Sequence, residues 1–226
     1  MMKVQRAMSK YDLVLYDLDG TLWDSIPLIM ECYKKAYDVV LGGTDRSDDD
    51  LQSYIGRPLG DTFSMHDDET RDKLVEAYLE INCARLKENA IPIFPGVYDF
   101  LAKIRTSGVK QGIVTSKRES SAMITIDLLE LDGYFDVKVF REATERAKPH
   151  GDPLIEAARR AGITDMSRVL YVGDAVPDVL SAHDAGTDFA LVGWTKMPRE
   201  ELDSLGPDYV IEVPEQLPCI IKGSEL

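Results

Sequence analysis

No apolar run of membrane-spanning length occurs in these 226 residues, which argues against a membrane partner. The opening stretch, Met1 to Lys10, is polar and lacks the apolar core of a signal peptide. Cysteine is scarce. The three cysteines, Cys32, Cys83 and Cys219, lie far apart with no CxxC pair. That favours free or buried thiols in a reducing cytoplasm over a disulfide framework or a zinc site. The three histidines, His66, His150 and His183, have no metal-ligand spacing. Basic residues are in deficit, 26 against 40 acidic ones, for a net charge of −14. This balance argues against nucleic acid or an anionic membrane as partner. It also sets a condition: an anionic substrate requires cationic groups gathered locally. Repeats and low-complexity segments are absent from the sequence.

What is present is a globular composition, 44% hydrophobic, sufficient for one large domain or a domain with a subdomain. Its most informative stretch runs from Tyr11 to Ser25. The apolar run Leu13 to Tyr16 reads as a buried strand that stops abruptly in Asp17-Leu18-Asp19-Gly20-Thr21. Two carboxylates at a strand's carboxyl end repel each other, and a hard divalent cation such as Mg²⁺ relieves that repulsion. Taken alone, the same stretch is also compatible with a strand followed by a polar Asp-Gly turn.

From Ser25 to residue 88 the pattern is helical throughout. Ser25 is a candidate cap for a first helix that Gly42-Gly43 ends. Two short helices near residues 51–55 and 59–65 flank Gly56-Arg57-Pro58, and a long helix covers 67–88 with Leu74, Ala77, Tyr78, Ile81 and Ala84 on one face. We expect residues 25–91 to form an all-helical cap subdomain, with 1–24 and 92–226 as the catalytic core and 91–96 as return linker and hinge. After residue 96, helices and strands alternate. Strands are expected at 109–115, within 135–140, and at 168–173, 189–192 and 209–211, with Asp152 as the cap of a helix over 153–161. The fold class is therefore α/β: a Rossmann-like, mostly parallel sheet with helices on both faces.

Four strand ends carry complementary polar groups: Asp17 and Asp19; Thr115, Ser116 and Lys117; Lys148, in the loop before a helix; and Gly173-Asp174 with Asp178. In a parallel sheet these ends open on one side. Together they supply what phosphoryl transfer requires: a carboxylate nucleophile, an acid–base group, a metal site and cationic donors. Asp17 is the candidate nucleophile, Asp19 the acid–base group, Asp174 completes a metal site with Asp17, and Thr115 and Lys148 hold the phosphoryl group.

This set, in this order, resembles the haloacid dehalogenase superfamily. Asp17 to Thr21 is similar to its first motif, Thr115 to its second, Lys148 to its third, and Gly173-Asp174 with Asp178 to its fourth, over about residues 11 to 222. The helical insert resembles the small cap of the phosphoglycolate phosphatase-like group. The resemblance implies Mg²⁺-dependent dephosphorylation through an aspartyl-phosphate under a mobile cap. It assigns Mg²⁺ to the Asp17 carboxylate, the Asp19 backbone carbonyl and Asp174, with Asp178 in support, and phosphate binding to Thr115, Ser116 and Lys148. Family dehalogenases lack the second aspartate, so Asp19 favours a phosphatase. A second proline is commoner where Gly151 stands, and its absence predicts a more flexible loop with little effect on Lys148.

Arg57 is the candidate cap residue for binding a substrate carboxylate or second phosphate. Lys117 and Arg118 can face the cleft, although Arg118 also suits a solvated helix start. Tyr33, Tyr37 and Tyr78 fit helix packing. Trp23 is left as a hinge or a cleft residue. We expect a monomeric or homodimeric cytoplasmic phosphatase acting on a small, phosphoglycolate-like metabolite. A sugar phosphate mutase of the β-phosphoglucomutase type and an inorganic pyrophosphatase are the alternatives.

Overall fold

Strand β1, Leu13–Tyr16, is buried along its whole length. Its side chains alternate between two cores: Val14 and Tyr16 face one, Leu13 and Leu15 the other. A strand buried on both faces must be covered on both, which is the condition of a parallel sheet with helices on each side. The computed structural model describes residues 9–88 and 91–223, and it meets this condition. Of the polar stretch Met1 to Lys10, only Ser9 and Lys10 fall among the described residues.

β1 is joined by β2 (Lys110–Val114), β3 (Val137–Val139), β4 (Val169–Gly173), β5 (Asp188–Val192) and β6 (Tyr209–Ile211). The six strands lie in the order β3-β2-β1-β4-β5-β6, and every pairing is parallel. Helices α5 (Val97–Ser107), α6 (Glu119–Leu128) and α10 (Leu217–Ile221) pack on the Val14 face. Helices α7 (Asp152–Ala161), α8 (Val176–Ala185) and α9 (Arg199–Ser204) cover the Leu13 face. Strand order reverses between β1 and its neighbours β2 and β4, so the loops after these strands diverge and leave a crevice at their carboxyl ends.

Between β1 and α5 the described residues form only the helices α1 (Ile26–Leu41), α2 (Asp48–Gln52), α3 (Leu59–Thr62) and α4 (Asp68–Glu88). They share a third core in which Tyr33, Tyr37, Phe63, Leu74 and Tyr78 are buried. Tyr33 packs against Phe63 and Tyr78 at ring distances of 5.9 and 5.0 Å. The chain's two crossings into this helical insert pair with each other. Asp24 N–H donates to the Pro92 carbonyl at 2.8 Å, Phe94 N–H to the Leu22 carbonyl at 3.1 Å, and Trp23 bridges Ile93.

Local details depart from the sequence expectations for physical reasons. Ser25 precedes α1 but makes no capping bond, because its hydroxyl donates to Asp19 instead. The second helix begins at Asp48, four residues before Gln52 closes it, because Ser47 accepts from Asp50 N–H and caps it. On α4 the buried positions are Leu74, Tyr78, Asn82 and Leu86, while Ala84 is exposed. Asp152 opens α7 as its first residue, and Gly151 is the cap position.

Gly151 corrects the expectation of a looser loop. Its N–H donates to Asp184 at 2.7 Å, and a Cβ there would lie 2.6 Å from the Ala185 nitrogen. Proline offers no N–H and brings more bulk, so glycine pins this loop. Gly151→Pro should therefore destabilise the protein by about 1–3 kcal/mol, through the lost bond and the clash. Urea unfolding measures this, and an unchanged midpoint would refute the packing account.

Candidate active site

The polar strand ends converge. Asp17 follows β1 directly, and its N–H donates to the Val172 carbonyl of β4, so it sits level with the end of that strand. β2 ends before Thr115, buried and held by its N–H to the Val139 carbonyl of β3. Gly20 makes the exit from β1 possible. It has φ +82°, and a Cβ would fall 2.3 Å from an Asp174 oxygen, so only glycine allows the first loop to approach the fourth strand end.

Lys148 arrives from the loop before α7 and is almost completely buried. Its ammonium donates to Asp17 at 2.9 Å, Asp178 at 2.6 Å and the Tyr171 hydroxyl at 3.0 Å. Tyr171 donates to Asp178 at 2.9 Å. The other Asp178 oxygen accepts from the backbone N–H groups of Asp174 and Ala175, at 3.2 and 3.1 Å. Asp178 is thus fully occupied by donors, and it fixes both Lys148 and the loop that carries Asp174.

Asp17, Asp174 and Asp178 bring carboxylate oxygens within 4.8 Å of one another. Three carboxylates face one ammonium, so the ionised cluster carries excess negative charge away from water. Burial pushes the Asp17 carboxyl up to about 7; Lys148 opposes that shift, and Asp178 and Asp19 add to it. Burial, then Asp178 and Asp17, raise Asp174 well above the usual carboxylate range. Burial works against the Lys148 charge, but Asp17 and Asp178 outweigh it and raise its pKa. Among the described residues Asp174 has only weak partners for its carboxylate, Thr21 at 3.4 Å and Thr195 at 3.3 Å. The donor set suits a hard divalent cation, all oxygen and under-compensated.

Asp19 is held apart from this cluster. Trp23 Nε1 donates to it at 2.8 Å, Ser25 at 2.5 Å, and Lys117 at 3.1 and 3.3 Å. Burial raises its pKa, yet Lys117, Ser25 and Trp23 together outweigh burial and lower it. Trp23 is therefore a support for Asp19 and part of the paired crossing.

A cavity of about 430 Å³ joins these strand ends to the helical insert. Asp17, Asp19, Thr115, Ser116, Lys117, Arg118 and Arg57 line it. Arg57 is exposed and stacks over the Tyr54 ring at 5.4 Å. Arg118 is exposed at the cap position of α6. Ser116 does not present a free hydroxyl to a phosphate: it donates to the Gly56 carbonyl of the insert at 2.9 Å. The sequence reading missed Tyr171, which looks like an ordinary core strand residue, and two cavity residues, Arg141 and Asn82. Arg141 stands just after β3, and only the strand-end rule could have singled it out.

The chain belongs to the haloacid dehalogenase-like hydrolase family, whose model matches residues 14–192. It is 33% identical to the pyrophosphatase PpaX of Anoxybacillus flavithermus, over 92% of this chain and 95% of that one. It is 32% identical to the pyrophosphatase PpaX of Bacillus cereus strain AH820, over 90% and 93%. Among solved structures, a hydrolase from Pseudomonas syringae superposes with a TM-score of 0.83 at 25% identity, covering 95% of this chain and all of that one.

The charge imbalance yields a test that needs no activity. Mg²⁺ should stabilise the wild-type protein by about 2.7 kcal/mol at a hundredfold excess over its dissociation constant. Asp174→Asn should unfold no earlier than wild type without metal and gain almost nothing from Mg²⁺. Thermal unfolding with and without chelator measures both. Wild-type protein indifferent to Mg²⁺ would refute the cation site.

Proposed function

We propose that this protein is a Mg²⁺-dependent phosphatase of small phosphorylated anions, working through an aspartyl-phosphate on Asp17. The observation that supports it most is the buried Lys148–Asp17 contact at 2.9 Å beside Asp174, with Asp17 itself lining the cavity that also holds Asp19. An Asp17 oxygen attacks phosphorus, and the bond from phosphorus to the leaving oxygen breaks. Asp19 takes up a proton as the substrate binds, from the phosphate monoanion or from water, gives it to that oxygen, and then takes one from the water that cleaves the acyl phosphate and frees phosphate. Lys148 and Thr115 hold phosphoryl oxygens. The Asp17 carboxylate, the Asp19 backbone carbonyl and Asp174 would hold Mg²⁺, with Asp178 bracing Lys148 and the Asp174 loop. Bound there, Mg²⁺ supplies the positive charge that lets an anionic nucleophile meet an anionic phosphoryl group.

Residues 25–91 act as a cap over a core of 1–24 and 92–226, and the paired crossings at Leu22–Asp24 and Pro92–Phe94 serve as its hinge. Closure excludes water and brings Arg57 to the part of the substrate that leaves. Pyrophosphate and small acid phosphates such as phosphoglycolate both carry a second anionic group for Arg57. The names of the PpaX relatives favour pyrophosphate.

Phosphate release from pyrophosphate, phosphoglycolate and sugar and aryl phosphates, with Mg²⁺ and then chelator, tests this reading. Chelator-sensitive release is expected, with one of the first two preferred. Sugar phosphate isomerisation without release would move the protein to the mutases. Asp17→Asn should abolish turnover with the fold intact, and Asp19→Asn should slow it ~10²–10⁴-fold. Arg57→Ala should raise KM about tenfold or more for the doubly anionic substrates and leave aryl phosphates nearly unchanged, given roughly 1.5–3 kcal/mol for a charged hydrogen bond. Equal effects on both would remove Arg57 from selectivity.

A further inference from the structure

Lys117 has a cavity position yet is not free to meet a ligand. Its side chain is only 8% exposed, and its ammonium spans both Asp19 oxygens. The backbone of Lys117 is anchored on both sides: its N–H donates to Thr115 Oγ1 at 3.2 Å, and its carbonyl accepts from Arg141 N–H at 3.1 Å. The ammonium therefore reaches Asp19 from a fixed origin.

The other two supports of Asp19 differ in kind. Trp23 and Ser25 lie four and six residues further along the same loop, and both donate to Oδ1. They move with Asp19 if that loop moves. Lys117 is 98 residues away, beyond the end of β2, and among the described residues it is the one side-chain donor to Oδ2. It alone ties the carboxylate to the strand end where Thr115 stands. Arg57 and Arg118, by contrast, are exposed at the cavity and form no ion pair among the described residues.

We infer that Lys117 is a positioning residue for Asp19, clamping its carboxylate from across the cleft, and that it acts on the leaving-group step through Asp19 instead of gripping the substrate. This rests on the phosphatase reading. A carboxylate that loses the clamp keeps only local supports and samples rotamers that point away from the leaving oxygen. The consequence depends on the leaving group. An alkoxide must be protonated as it departs, whereas a nitrophenolate leaves without help.

The test compares kcat/KM for an alkyl phosphate and for p-nitrophenyl phosphate, using the full chain with Mg²⁺. Lys117→Met should lower kcat/KM for the alkyl ester about tenfold or more and for the aryl ester less than about threefold. Lys117→Arg, which keeps the ion pair, should restore most of the loss. In an Asp19→Asn background, Lys117→Met should change little, because the two residues act as one unit. The inference is overturned if Lys117→Met raises KM equally for both esters at unchanged kcat, or if its effect multiplies that of Asp19→Asn. Either result makes Lys117 a direct substrate ligand. If wild-type protein releases phosphate from neither ester and not from pyrophosphate, the phosphatase reading fails before any variant is compared; release from pyrophosphate alone keeps that reading and overturns the inference that Lys117 serves protonation of an ester's leaving oxygen.

Discussion

A single buried ammonium holds the centre of this molecule together. Lys148 lies between Asp17 and Asp178 with almost no access to water. An ion pair this deep costs several kcal/mol of desolvation per charge, and it persists only when every partner is well placed. Here the partners of Lys148, which itself stands in the loop before α7, come from three segments: the end of β1, Tyr171 on β4 and the first turn of α8. Removing the lysine would strand two carboxylates in the interior. The sheet must therefore be formed, and β1 and β4 in register, before the cluster is tolerable at all.

The same contact explains why the cluster is acidic in excess. A protein interested only in stability would match one ammonium with one carboxylate. This one keeps two further carboxylates near it, Asp174 with weak partners and Asp178 saturated by four donors. Asp178 is structural in its bonds: two backbone amides, a tyrosine and the lysine. Asp174 is the underserved member. Strain of this kind is a departure from consistent design, and such departures gather where a protein does chemistry.

Much of this was legible in the sequence because strand ends announce themselves. A buried run that breaks into Asp-x-Asp-Gly, or into Gly-Asp, has no reason in packing to do so, and all six strands and the parallel class followed from periodicity. What periodicity could not supply was direction of side-chain hydroxyls and amides. Tyr171 reads as a core aromatic because its ring is one; only its hydroxyl, 3.0 Å from Lys148, joins the site. Asn82 sits on the buried stripe of α4 where an apolar residue is expected, and its facing the cavity is a tertiary fact. A local rule makes Ser25 a helix cap, and the family resemblance makes Ser116 a phosphate ligand. Both hydroxyls serve distant partners, Asp19 and the Gly56 carbonyl. Helix α9, Arg-Glu-Glu-Leu-Asp-Ser, carries one buried side chain, Leu202, too few to show a period.

The net charge of −14 posed a difficulty for any anionic substrate. Its resolution is spatial. Arg57, Lys117, Arg118 and Arg141 line one cavity, contributed by the insert, the end of β2 and the end of β3. Within a cavity the field of nearby cations dominates, because screening reduces the distant acidic surface over about a Debye length, near 8–10 Å. These four do not contribute alike. Lys117 is neutralised by Asp19, and Arg141 donates to the Thr144 carbonyl, whereas Arg57 and Arg118 stand exposed at the rim. Attraction of an anion thus belongs to the rim and commitment of charge to the floor. If the chain works as proposed, a second anionic group on the substrate meets Arg57 of the insert and Arg118 of the core first, and discrimination between phosphate esters falls to these two arginines, while the strand ends treat all phosphoryl groups alike.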